Sequence, residues 1–195
     1  MIKIQLKYDL EKISIRERFF NKEMKFSQKK KSILPHWYIL PKFHKYIDII
    51  KINNSKPLKK NDLKYVKTLS SCYSAKIPEI DLKLYIDYVI ENITADFSDI
   101  NGLLIHSIII IDRILKRNFT LNEYNIHRIV GYSLLLSLEL YNDNQKYSKY
   151  YLSLISGIQK KEIITMEQEI LEYIDYDVFI TKQQVLHVMR SIINL

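Results

Sequence analysis

The chain has 195 residues, 47% hydrophobic and 27% charged, which is enough for one full core and too apolar for wholesale disorder. Three Gly and four Pro are too few for the many positive-φ turns of a β-sandwich or for a Gly-rich phosphate loop, and the single Cys72 excludes an internal disulfide and a multi-cysteine zinc site. The net charge of +8 is uneven: residues 1–67 carry 18 Lys and Arg against 6 Asp and Glu, whereas residues 68–195 carry 12 against 16, the pattern of a basic extension on a mildly acidic domain.

The chain opens on MIKIQLKYDLEKIS, where charges run through the segment and no continuous apolar stretch marks a signal peptide. The alternation over residues 2–8 predicts a short strand, and residues 9–26 a helix. Lys29, Lys30 and Lys31 form a basic knot before Pro35, Trp37, Tyr38 and Pro41, a Pro and aromatic spacing that reads as an extended segment laid over a surface. Asn53, Asn54, Ser55 and Pro57 mark a break, followed by Lys59 and Lys60. Residues 1–60 therefore read as a basic N-terminal extension, and residues 61–195 as the domain.

From Asn61 the apolar spacing turns helical. Leu63, Val66 and Leu69 give a stripe to about Tyr73, with Asn61 or Asp62 as cap. Pro78 opens the next helix, with Ile80, Leu84, Val89 and Ile93 apolar. Ser98 caps a third helix to about Lys116, and Asn122 a fourth from Tyr124 to about Leu140. A shorter fifth opens at Asp143 or Asn144 and ends near Gly157. A sixth runs from about Lys160 to Ile174, and a last one, capped by Thr181, from Lys182 to the end. The third helix is apolar nearly all round, from Leu103 through Leu115, so its neighbours must surround it. Its longest aliphatic run, Ile108–Ile111, falls far short of the roughly 18 residues that span a bilayer. The expected fold class is all-α: five helices around a central apolar one, with a helix and a basic arm before them.

Catalytic signals are absent from the sequence. There is no Gly-rich loop, no HExxH and no Cys–His pair at a telling spacing, so neither a catalytic nor a metal site is read, and no cofactor or small-molecule substrate is implied. His36, His44, His106, His127 and His187 are scattered. Glu167 and Glu169, two residues apart on a helix, point away from each other. Asp112-Arg113 interrupts the apolar helix, either as a solvent-facing pair near its end or as a buried pair that holds helix packing.

Several motifs then fall in order. Ile111-Asp112-Arg113-Ile114-Leu115 resembles the hydrophobic-Asp-Arg-hydrophobic-Leu signature of the cyclin box. Asn125-Ile126-His127-Arg128 with Ser133-Leu134-Leu135-Leu136 is similar to the opening of the third box helix in P-type cyclins, the phosphate-signalling branch. Ile77-Pro78-Glu79-Ile80, Tyr150-Tyr151 with Ser156-Gly157-Ile158, and Met166-Glu167 through Val178 resemble further stretches of that branch. The resemblance covers about residues 61–180, with the box core at about 77–178. It implies a single five-helix cyclin box that binds and activates a cyclin-dependent protein kinase, has no catalytic residue of its own, and works in the cytoplasm or nucleus without a membrane. A divergent cyclin-fold scaffold that binds partners without activating a kinase is the alternative.

The resemblance also implies contact positions: Glu139, Leu140 and Tyr141 at the end of the third box helix, and Glu167, Leu171 and Tyr176 on and after the fifth. Glu139 stands where such cyclins usually carry Lys. Tyr88 stands where they carry the Arg that pairs with the Asp matching Asp112, so Asp112, Arg113 and Tyr88 become the expected structural group, unless Asp112 finds another partner. The Trp of the substrate-recruiting patch has no counterpart, since the one Trp is Trp37. Glu139 and Glu167 together invite a Lys or Arg from the partner, or else Lys146 or Lys149 neutralises Glu139 from within. The basic arm admits nucleic-acid binding through Lys29–Lys31 and Lys59–Lys60 beside Trp37, Tyr38 and Phe43. Heavy use of Ile, Lys, Asn and Tyr, as in an AT-rich genome, makes a solvated surface the simpler account, and no specific nucleic-acid binding is expected.

Overall fold

The computed structural model describes residues 39–54, 69–74, 76–94, 99–141 and 149–195. The expected strand at 2–8, the helix at 9–26, Lys29–Lys31, Trp37, Tyr38 and Lys59–Lys60 lie outside the described residues. Among those described, the regular structure is helical throughout, as the periodicity requires. The helices are α1 (Leu40–Asn54), α2 (Leu82–Thr94), α3 (Ile100–Lys116), α4 (Ile126–Tyr141), α5 (Lys149–Ser156), α6 (Lys160–Tyr173) and α7 (Lys182–Ile193), with a 3₁₀ turn at Ser70–Cys72.

Helix α3 is the centre. Leu103, Leu104, Ile105 and the run Ile108–Ile111 are all buried, as is Ile114. Its start is fixed by Asp99, whose Oδ1 accepts the Gly102 amide at 2.9 Å. The expected cap, Ser98, lies outside the described residues. The neighbours α1, α4 and α7 all pack on α3, and α4 makes the most extensive interface. Small polar residues make that closeness possible. Ser107 on α3 and Ser133 and Ser137 on α4 are buried at the seam. Ser107 Oγ lies 2.9 Å from the Leu103 carbonyl and 3.1 Å from Ser137 Oγ, and Ser137 Oγ donates to the Ser133 carbonyl at 2.7 Å. The hydroxyls of Ser107 and Ser137 find their partners within the seam, whereas that of Ser133 is buried without one and only its carbonyl accepts. His106 joins it, with Nδ1 3.2 Å from Ser137 Oγ. Burial, helped by the Arg113 charge, lowers its pKa to about 4, so the ring is neutral.

Three elements depart from the expectation. Residues 40–54, which run from the end of the expected extended segment at Pro41 to the expected break at Asn53 and Asn54, form α1. Pro41 falls in the first helical turn, where its missing N–H costs nothing, and Phe43, Ile47 and Ile50 recur on one face that is buried. Since α1 belongs to the compact unit Trp37–Leu195, the packed domain begins well before the expected boundary at residue 61. The stripe expected to run helically to Tyr73 does not do so at its described end. Leu69 takes a left-handed φ of 58° and leads into the 3₁₀ turn. The cause is tertiary: Glu169 on α6 accepts the Ser71 amide at 2.9 Å and the hydroxyls of Ser70 and Ser71 at 3.0 and 2.6 Å. Lastly, α2 starts at Leu82 rather than Pro78, with Asp81 Oδ1 accepting the Lys83 amide at 2.9 Å.

Gly131 on α4 sits under the ring of Tyr85 from α2. A Cβ there would meet Tyr85 Oη at 2.2 Å and Cε1 at 3.0 Å. Tyr85 is itself fixed, since it is buried and its hydroxyl donates to the Ser156 carbonyl at 3.1 Å. Gly131→Ala is therefore expected to destabilise the domain by about 1–3 kcal/mol, as overpacking does. Ile108→Ala, at the centre of α3, is expected to cost about 2–5 kcal/mol. Urea unfolding monitored by circular dichroism measures both, and unchanged midpoints would contradict this packing.

Candidate functional site

The end of α4, the start of α5 and the middle of α6 come together around three charges. Glu139 lies one residue inside the last two positions of α4, Lys149 opens α5, and Glu167 sits midway along α6. Lys149 Nζ is 2.6 and 2.8 Å from the two Glu139 oxygens and 2.6 Å from Glu167 Oε2. An ammonium has three N–H bonds, and here each has a carboxylate oxygen. The three side chains are only 25%, 21% and 28% exposed, so water screens the cluster poorly. Burial pushes the Glu139 pKa up, against the opposing pull of Lys149. Burial would lower the Lys149 pKa, yet its two carboxylate partners outweigh that and raise it.

The expected contact residues divide. Glu139 and Glu167 meet, as the resemblance implies, but the cation between them comes from the chain itself. The neutralisation weighed for Glu139 alone embraces Glu167 as well. Lys146 lies outside the described residues. Leu140 follows Glu139 and is 42% exposed. Tyr141 is the last residue of α4. Leu171, one turn beyond Glu167, is half-buried against the core. Tyr176 is 63% exposed, and its backbone has φ of 55° next to Asp175 at 53°. Two adjacent non-Gly residues in the left-handed region carry strain, which the surroundings must hold. The Tyr176 amide donates to the Leu171 carbonyl at 2.7 Å, and Arg117 pairs with Asp175. Glu169 faces the 3₁₀ turn, while Glu167, two residues earlier, faces Lys149.

The expected group of Asp112, Arg113 and Tyr88 is not formed as such. Asp112 accepts the hydroxyl of Tyr46 on α1. Burial raises the Asp112 pKa, and the Tyr46 bond works against that rise. Arg113 is 9% exposed and turns to the segment before α7. It donates to the carbonyls of Asp177 at 2.5 Å and Phe179 at 2.7 Å, with Nε 3.2 Å from Asp177 Oδ2. Tyr88 is half-buried against the core and contributes its backbone carbonyl to Asn92 Nδ2 at 2.7 Å. The reason is helix geometry: neighbours in sequence diverge by about a quarter turn, so Asp112 and Arg113 serve different flanks of α3. Tyr46 is not signalled in the sequence, because the extended segment expected over Pro35–Pro41 and the break at Asn53 leave its stretch without an assigned element.

The polar residues of Asn125-Ile126-His127-Arg128 act as tethers. Asn125 donates to the Thr120 carbonyl at 2.9 Å and accepts the Asn122 amide at 2.8 Å. His127 Nε2 lies 2.9 Å from the Ile80 carbonyl. Arg128 donates to the Ser71 carbonyl at 2.8 Å, to Ser74 Oγ at 3.0 Å and to Glu162 at 3.1 Å. Together they hold the segments before α2 and before α4 against the bundle. Among the described residues, no group of His, Cys, Asp and Glu is gathered to hold a metal, and no helix is long and apolar enough to cross a membrane.

Comparison with known proteins bears on this arrangement. The model of the family described as Cyclin matches residues 8–178. The chain is similar to Cyclin-U4-3 of Arabidopsis thaliana, at 26% identity over 106 residues, which cover 53% of this chain. The matched stretch spans 46% of that relative, so less than half of its length is represented.

Arg113 yields a test of the tethering. Removing its guanidinium takes the donor from the carbonyls of Asp177 and Phe179 and from the Asp177 carboxylate. Arg113→Met is expected to cost about 1.5–3 kcal/mol, as losing hydrogen bonds to a charged group does. Loss of stability by less than about 0.5 kcal/mol in chemical denaturation would show that these bonds do not organise the segment.

Proposed function

The chain belongs to the cyclin family, and from that premise we propose that it is the regulatory subunit that binds and activates a cyclin-dependent-type protein kinase. The subunit is non-catalytic. The work it does is a population shift: it binds the active arrangement of the kinase more tightly than the inactive one. An equilibrium moves only as far as that difference in affinity allows. Within the family the reading places it in the P-type branch, on the strength of Asn125-Ile126-His127-Arg128 and the order of the motifs around it. A kinase regulator of this kind works inside the cell, in the cytoplasm or nucleus.

The observation that carries the reading is the surface where α4, α5 and α6 meet. Exposed apolar side chains there, Leu140 and Tyr150, stand next in sequence to Glu139 and Lys149 of a charge cluster. Leu171 and the protruding Tyr176 continue from Glu167. Aromatic and aliphatic anchors beside a desolvated charge group are the usual make-up of an interface centre. A second reading, a cyclin-fold scaffold without activation, is favoured by one fact: Lys149 satisfies both carboxylates, so the cluster does not require a partner's charge.

Affinity capture on the full chain in extracts of its native organism, with mass spectrometry and a kinase assay of the captured material, tests the proposal. A co-eluting kinase with activity above that of the free kinase is the expected result. Glu139→Lys would put a second ammonium beside Lys149, and Tyr176→Ala would remove the protruding ring. Each is expected to weaken kinase binding by about tenfold or more. Capture of an inactive kinase would favour the scaffold, and capture of no kinase would end the reading.

A further inference from the structure

We propose that Lys149 is the specificity-determining residue of this face: its ammonium is the built-in occupant of a cation slot between Glu139 and Glu167, and the partner is one that brings no basic side chain into that slot. The identity of the partner rests on the kinase reading above. The slot itself is a property of the chain.

Three observations converge on it. First, the ammonium is fully engaged within the chain. All three N–H bonds of Lys149 meet carboxylate oxygens, at 2.6, 2.8 and 2.6 Å, so its donors are used by Glu139 and Glu167 and none is left for a partner. Second, half of the acids' charge is neutralised from within. The two carboxylates and one ammonium leave a net charge of about −1, and an arriving cation meets Lys149 as well as the acids. Third, the cluster is poorly screened: the side chains of Lys149, Glu139 and Glu167 are 25%, 21% and 28% exposed, so their charges act on one another at close quarters. Two acids with a cation already seated between them, away from water, are a cation slot in use.

The lysine reaches this slot from an unexpected direction. It comes from α5, across the helix junction, instead of from α4, whose own residue at that end is Glu139. The cluster thus takes its cation from α5 and its acids from α4 and α6. A partner fitted to this face is fitted to that placement.

The test has two arms on the full chain. In the first, Lys149→Ala is melted in n-butylammonium chloride and in sodium chloride at equal ionic strength. The vacated stem and head have the shape of that probe, so butylammonium is expected to restore at least half of the lost melting temperature in the variant and to leave the wild type unmoved. An equal effect on both, or on neither, overturns the slot. In the second arm, the kinase captured by the wild-type chain is titrated against Lys149→Ala and Lys149→Arg. Loss by about tenfold or more for Ala, with Arg largely retained, is expected. Binding of Lys149→Ala within about twofold of wild type, or tighter, overturns the specificity role, the tighter result marking a partner that offers its own cation. If Lys149→Ala does not fold, Lys149→Met keeps the stem and ammonium chloride becomes the probe. A wild-type chain that retains no kinase strikes the functional reading instead, and the butylammonium arm still decides the slot.

Discussion

Helix α3 imposes the organising constraint. A helix that is apolar nearly all round has no face that tolerates water, so other elements must enclose it. α4 takes the closest berth, because Ser107, Ser133 and Ser137 are small enough to bring the two backbones together, and the hydroxyls of Ser107 and Ser137 bond locally. α1 and α7 pack on it as well. The two charges at its far end, Asp112 and Arg113, could not lie against this packing alone. Each is taken up by a different neighbour, Tyr46 on α1 and the backbone before α7. The apolar body thus recruits helices, and its polar end fixes where two of them attach.

A second layer of order comes from side chains that bind backbone. Arg128, His127, Glu169 and Arg113 reach out of a helix to a turn, and Asn125 acts from within the turn before α4; each holds backbone amides or carbonyls. Such bonds fix the turns by satisfying backbone groups that no helix or strand pairs. They also explain why a cyclin with only three glycines can have tight connections. Leu69, Asn118, Asp175 and Tyr176 adopt left-handed backbone without glycine's freedom, and several of these sites lie next to such a tether or an ion pair.

Much of this was legible in the sequence, for identifiable reasons. The central helix announced itself by composition, and Leu104, Ile108 and Ile111 are fully buried as its pattern requires. Gly157, with φ of 68°, and Thr181, with its capping box to Gln184, end and begin helices where their chemistry predicts. The failures were those of local reading. Pro41 and the flanking aromatics disguised α1, whose buried face matters only once α3 is there to receive it. Glu169 stabilises a 3₁₀ turn about 98 residues earlier, which no window of sequence could show. At the charge cluster, the resemblance alone implied that Glu139 and Glu167 share a surface, but the double engagement of Lys149 depended on where α5 starts relative to α6.

The attachment of α1 has a consequence for how the domain assembles. Lys42 donates to the carbonyl of Ile193 at 3.2 Å, across 151 positions of chain, and Tyr46 bonds to Asp112 across 66. The helices α2 to α6 close on one another over separations such as the 71 positions from Tyr85 to Ser156, about half of that between Lys42 and Ile193. α1 can meet α3 over 66 positions, but the seat it shares with α7 is complete only when that last helix arrives. Closing so long a loop is entropically late. Until then one flank of α3 is bare, and the nascent bundle displays isoleucines to its surroundings. The first helix of the unit is in this sense its last to be secured, and the interval before that closure is when a chaperone has most to cover.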